Sequence, residues 1–472
     1  MFCATGCVHP LGPGFHFDER QAEILVSTGA PGRIHLKVTD RLENTGNRKL
    51  DSLAVRLPDA PSFGAQNLLV LVDGKAINPP HISKADTRIV SATFDPPWQQ
   101  TEKREIVAEW DLAPEASTRG NVAASADGFF VADETALPLW QTPNGIFAKG
   151  GLIPDNELLS VFVPPDYRVL APGKLLKAAP EGSWVAHRFA IGPKEEFLPY
   201  VIAGRYEEKT IELRDGRVQY WTFQPIDGDV AQKAADRLVA SMKALSTFFG
   251  TPSSGTTTVR IVESPVEMRT EFAASDDPGG ASFPEGALVD SHAFVQGLTS
   301  EGVLQLAEYE LARTWFGWRV RPKPEAQILM GRGVGLFGLV IIAEERGSEE
   351  RSRMVASLIA RYDRARAIAP DQRLMEPPVG YSRVERISTA YRAALFFVAL
   401  EDVCGHDNLS AALQDIIHVR AGDETSYEEL RSAAETASRK DLAEMFRRWL
   451  VEPGLPGEFR AKYQAAQAQL RN

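Results

Sequence analysis

Apolar and polar positions alternate with a period of two through the front of the chain, from about residue 20 to 205. The clearest runs cover residues 34–38, 53–57, 68–72, 89–94, 106–110, 159–163 and 184–191. Turn-forming residues separate them, among them Asp73-Gly74 and Pro164-Pro165. Successive side chains of a strand point to opposite faces, so such a run buries one face and wets the other. Short β-branched and aromatic runs broken by Gly, Pro and Asp predict antiparallel strands packed as a β-sandwich. A hairpin is expected next, because residues 211–213 and 218–223 flank Asp215-Gly216. The spacing then turns helical. Asp229 is predicted to cap a helix over 230–249, which Gly250 and Pro252 end. Residues 256–262 read as one more strand. From Thr299 onward the pattern predicts helices over 301–316, 326–345, 349–367, 387–403, 408–418, 427–436 and 440–450.

The pattern therefore predicts an α+β multidomain chain. A segment 1–19 precedes a β-sandwich domain at 20–207, a mostly helical domain follows at 208–457, and 458–472 forms a tail. A length of 472 residues supports this division. The net charge of -11 argues against a nucleic-acid partner. The most apolar stretch, 334–343, falls short of the roughly 18 residues that cross a bilayer.

Three cysteines, Cys3, Cys7 and Cys404, make no C-x-x-C pair, so neither a Cys-rich zinc site nor a disulfide framework is expected. Ala4-Thr5-Gly6-Cys7 looks like the end of a bacterial lipoprotein signal, although no basic and apolar stretch precedes it. Two readings stand. In one, the start lies inside a longer signal and Cys7 carries a lipid anchor, giving an extracytoplasmic protein. In the other, two stray thiols sit in a frayed terminus, and a cytoplasmic location stays open.

The stretch 306–338 reads LAEYELARTWFGWRVRPKPEAQILMGRGVGLFG. In an H-E-x-x-H peptidase, two His one helical turn apart bind Zn²⁺ and the Glu between them acts as general base. Here the five positions read Tyr309, Glu310, Leu311, Ala312 and Arg313, followed shortly by Trp315-Phe316-Gly317. This stretch resembles the active-site helices of the aminopeptidase N family, which includes leukotriene hydrolase. That family follows H-E-x-x-H with W-F-G and places a third ligand, a Glu, eighteen residues beyond the second His; this position falls on Arg332. Residues 197–206, FLPYVIAGRY, resemble the strand that closes the family's β-domain, and FRRWLVEPGLPG resembles the end of its catalytic domain. The resemblance implies a saddle-like β-sandwich followed by a thermolysin-like gluzincin domain, without the family's long helical C-terminal domain.

Other family positions are altered too. The family's glycine-rich strand holds the substrate's free amine with a Glu. In 277–289, Gly279, Gly280 and Pro284 align with it, while Ser282 stands at the Glu and Glu285 comes three places later. Tyr391 matches the transition-state tyrosine, but the E-K-G after it is replaced by Arg392-Ala393-Ala394. By its residue type alone, a Tyr on an amphipathic helix reads as core packing. Cys404 and His406 suggest a thiol nucleophile, yet the intervening Gly405 reads better as a turn between helices.

Zinc needs imidazole nitrogen or carboxylate oxygen with one position open to water. Tyr309 offers a protonated phenol, and Arg313 and Arg332 cannot deprotonate to donate. No two of the eight histidines lie three to five residues apart. Zinc lowers the pKa of bound water from 15.7 to roughly 7, on the order of 12 kcal/mol. A lone general base such as Glu310 contributes about 3 to 5 kcal/mol, so it does not replace the metal. The expected site is a Glu310–Arg313–Arg332 cluster, either an ionic plug between two helices or an anion site for a carboxylate or phosphate.

The expected function is a non-catalytic pseudopeptidase without a zinc cofactor, binding an extended peptide, an anionic ligand or a protein partner. The alternative is an active peptidase whose metal site or mechanism the residues do not reveal.

Overall fold

A computed structural model describes residues 16–26, 33–46, 49–56, 65–77, 81–82, 89–112, 122–132, 139–140, 156–191, 200–251, 257–266, 280–284, 286–291, 297–375, 383–421 and 423–470. Cys3, Cys7, Gly279 and Glu285 lie outside them. The chain divides into two compact units, Met1–Tyr206 and Glu207–Asn472.

The first unit is built of strands. Its largest sheet has eight, in the order Lys174–Glu181, Trp184–Ile191, Asn156–Val163, His16–Val26, Ile34–Glu43, Lys103–Leu112, Ala65–Val72 and Lys75–Ala76. Two four-stranded sheets accompany it, one containing Gly128–Ala132 and Tyr200–Gly204, the other Leu50–Arg56 and Ile89–Trp98. The sandwich expected from the alternation is present, with one departure: His16–Val26 and Asn156–Val163 run parallel. Alternate residues such as Leu36, Val38, Trp110 and Val161 meet in one core. Arg20 and Asp40 are buried beside it and joined by two 2.8 Å hydrogen bonds.

The second unit opens with a mixed five-stranded sheet, ordered Glu207–Leu213, Gly216–Thr222, Thr257–Glu263, Gly286–Val289 and Gly280–Phe283. Helix α1 (Gly228–Phe249) crosses between its second and third strands. Its cap is Asp227, not Asp229, because Asp227 Oδ1 accepts from the N–H groups of Asp229 and Val230 at 2.9 and 3.1 Å. Then come α2 (Glu301–Ala312), α3 (Val334–Glu345), α4 (Ser348–Arg366), α5 (Arg383–Cys404), α6 (His406–Val419), α7 (Tyr427–Ser438), α8 (Ala443–Leu450) and α9 (Gly457–Leu470).

Three expectations need correction. The helix expected to reach 316 ends at Ala312, since the N–H groups of Arg313 and Thr314 turn back to Glu310 and Leu311. Gly317 then adopts a φ of 146° and its N–H bonds Val320 O, so W-F-G forms a turn. The tail expected at 458–472 is helical as far as Leu470, in α9: Phe459 and Tyr463, one turn apart, meet with tilted rings at 4.8 Å, and Phe459 meets Trp449 edge-on at 5.1 Å. The helix expected over 326–345 starts as a π-helical turn, Gln327–Gly333, before α3. Together, Gln327–Glu345 has the length and apolarity of a membrane span (mean hydropathy 1.5), but 83% of that window is buried within the fold, as in a core helix.

Candidate functional site

Helix α2 is the centre of the site. Its exposed face is narrow, and Glu308, Tyr309 and Glu310 are all buried. One side lies on the edge strand Gly280–Phe283, where a Cβ on Gly280 would meet Leu306 at 3.4 Å and Leu288 O at 2.8 Å. The other packs against α3 through two glycines. A Cβ on Gly338 would stand 2.4 Å from Ala312 Cβ. One on Gly335 would stand 2.8 Å from both Arg313 Cγ and Tyr309 Cε2. Only hydrogen at these positions lets the helices close and the two side chains lie flat between them.

Glu310 is 3% exposed. Arg313 Nη1 donates to its Oε2 at 2.8 Å, while the Arg313 guanidinium lies 5.7 Å from the centre of the Tyr309 ring. Ser282 Oγ, close enough to the same carboxyl to lower its pKa, accepts from Trp318 Nε1 at 2.9 Å. Arg332, half-buried on the π turn, adds its charge from the next helix. Burial pushes the Glu310 carboxyl above the usual glutamate range, and Arg313, Arg332 and Ser282 oppose it. Of the residues singled out in the sequence, Tyr309, Glu310 and Arg313 are in contact, with Ser282 beside Glu310 and Arg332 acting on it through its charge. Gly280 shapes the neighbouring strand. Tyr391 is buried on α5, the helix against the π turn, where Gly333 touches Ala393.

No family model and no curated protein matches the chain. Solved structures do. An M1 zinc metallopeptidase from Deinococcus radiodurans matches with a TM-score of 0.65 at 15% identity, over 94% of this chain and 95% of that one. A mutant of the same enzyme bound to a Tyr-Ser-Ala substrate matches with a TM-score of 0.63 at 16% identity, over the same shares. A two-domain M1 zinc metallopeptidase mutant bound to L-arginine gives a TM-score of 0.65 at 16% identity, again over 94% and 95%. The fold is that of the M1 zinc metallopeptidases.

The motif resemblance drawn from the sequence implies a zinc at Tyr309, Arg313 and Arg332. The side chains present do not fit it: they supply a phenol and two guanidiniums, and Arg313 already occupies an oxygen of the one carboxylate.

Three further polar clusters escaped the sequence reading. Glu308 accepts from Arg237 Nε at 2.8 Å, Ser241 Oγ at 2.7 Å and Arg346, binding α1, α2 and the end of α3 together. Arg392, fully buried, donates to Gln372 O at 2.9 Å, to Asp371 at 3.3 Å, and to the carbonyls of Trp449 and Glu452. Glu344, Arg351, Glu401 and His406 form the third. Most of their partners lie tens of residues apart, so local spacing does not reveal them. Gly405, with φ at 89°, is the break between α5 and α6 that Cys404-Gly405-His406 suggested.

Proposed function

We propose that this protein is a pseudopeptidase: a peptidase fold that binds an extended peptide without cleaving it. The observation that carries the reading is the 2.8 Å hydrogen bond from Arg313 to Glu310 at the former metal position. A general base must present its carboxylate to water, and Glu310 is buried with Oε2 engaged by Arg313. The Arg313 side chain is 29% exposed, so an anion can reach its guanidinium. The fork geometry of Arg matches a peptide's terminal carboxylate, whereas the family's pocket is built for a terminal amine. Ser282 in place of the amine-holding Glu points the same way.

A labelled Tyr-Ser-Ala peptide, the kind bound by one of the similar structures, supplies the test in free-acid and C-terminally amidated forms. The free acid should bind intact, amidation should weaken binding at least tenfold, and Arg332→Gln should do the same. Equal binding of both forms, with Arg332→Gln lowering only stability, would leave Arg313 and Arg332 as an ionic plug. Zinc-dependent, chelator-sensitive cleavage of the peptide would establish the alternative, an active peptidase.

A further inference from the structure

We infer that Glu344, Glu401 and His406 form a binding site for a divalent first-row transition-metal cation, separate from the Glu310 cluster and independent of the proposed function. His406 Nδ1 lies 2.7 Å from Glu401 Oε1 and 3.5 Å from Glu344 Oε2, and the three donor atoms fall within 4.8 Å of one another. Donors about 2.0–2.1 Å from a tetrahedral zinc stand roughly 3.3 Å apart, so small side-chain movements suffice, with no backbone shift. One imidazole and two carboxylates make a donor set suited to Zn²⁺ rather than Mg²⁺ or Ca²⁺.

The surroundings favour a cation. Glu344 is the penultimate residue of α3, and Glu401 sits in the last turn of α5. Helix C-termini carry partial negative charge, so two carboxylates there raise the local negative potential further. One guanidinium answers them. Arg351 donates to Glu401 Oε2 at 2.7 Å and to Glu344 Oε2 at 3.4 Å. With His406 neutral, the group keeps one excess negative charge. Arg351 also fixes the buried Glu401 by its outer oxygen, which leaves Oε1 turned toward His406, as an outer-shell partner does for a metal ligand. The His406 ring is held edge-on against Phe248 at 5.0 Å. The His406 and Glu344 side chains are 45% and 38% exposed, which gives the ion an entry path and water for its remaining coordination.

The test is titration of the chelator-stripped full chain with ZnCl₂ by isothermal calorimetry. His406→Ala, Glu344→Gln and Glu310→Gln run in parallel, and circular dichroism confirms that each is folded. One saturable ion per chain is expected. His406→Ala and Glu344→Gln should each weaken it at least tenfold, and Glu310→Gln should leave it unchanged. Co²⁺ in place of Zn²⁺ should give a visible absorption band that His406→Ala removes. No saturable binding, or binding that His406→Ala and Glu344→Gln leave intact, would overturn the site and reduce the four residues to an ion-pair network. Zinc lost only in Glu310→Gln would overturn both this site and the reading of Glu310 as metal-free.

Discussion

Glu310, buried, and Glu157, half-buried with a buried Oε1, are two carboxyls that the fold treats differently. Glu310 has guanidinium neighbours, so removing one exposes the cost of its burial. Arg313→Ala should destabilise the second unit by about 2–3 kcal/mol, less than the 3–5 expected for a fully buried pair because Arg313 is partly exposed. Urea unfolding measures this, and a loss below roughly 0.5 kcal/mol would mean that the pair compensates little. Glu157, beside Arg20 and Asp40, has an Oε1 that accepts no hydrogen bond. Burial raises its pKa from an ordinary 4.5 to about 7, against the pull of Arg20. The folded form therefore holds this proton to higher pH than the unfolded chain. Its stabilising contribution is full below about 4.5 and disappears as pH rises through 7. Glu157→Gln should flatten the decline in stability of the first unit between pH 5 and 8, gaining on the order of 1–3 kcal/mol at pH 8. Hydrogen exchange in His16–Val26 and Asn156–Val163 at the two pH values is the readout, and identical profiles for parent and variant would refute it.

At the scale of elements, the site depends on how closely α2 and α3 approach. Gly338→Ala would place a methyl 2.4 Å from Ala312 Cβ and 3.1 Å from Leu245. Overpacking of this kind costs about 1–3 kcal/mol, and a thermal melt should show it as a lower midpoint. The α5–α8 junction rests on Arg392. Arg392→Met should leave Asp371 buried without its main counter-charge, cost about 3–5 kcal/mol, and speed hydrogen exchange in α8 and α9 first. Strand and helix types were legible in the sequence wherever one face of the element is buried, as in 34–38 or 106–110, because burial imposes the period. Ends were harder to read. The W-F-G turn follows from tertiary contacts, including Trp315 Nε1 bonding Gly250 O at 2.8 Å, and α9 is helical because Phe459 finds Trp449. The π turn that carries Arg332 leaves no mark in the spacing.

For the whole molecule, sheet order was not legible: the parallel pairing of His16–Val26 with Asn156–Val163 joins segments that no local pattern connects. The contact of Tyr309, Glu310 and Arg313 could be read only because a known family's motif supplied the geometry. The clusters around Glu308, Asp371 and Glu401 had no such motif and emerged only from the fold. The two-unit M1 fold is kept, and in the function proposed above its central charges are inverted, from a cation held by carboxylate and imidazole to guanidiniums held by one carboxylate. Zinc content of the His406→Ala protein, which lacks the second site, tests that inversion most directly. After equilibrium dialysis against Zn²⁺, elemental analysis should find no bound ion, and Glu310→Gln in the same background should change nothing. One tightly held zinc per chain, lost with Glu310→Gln, would contradict it.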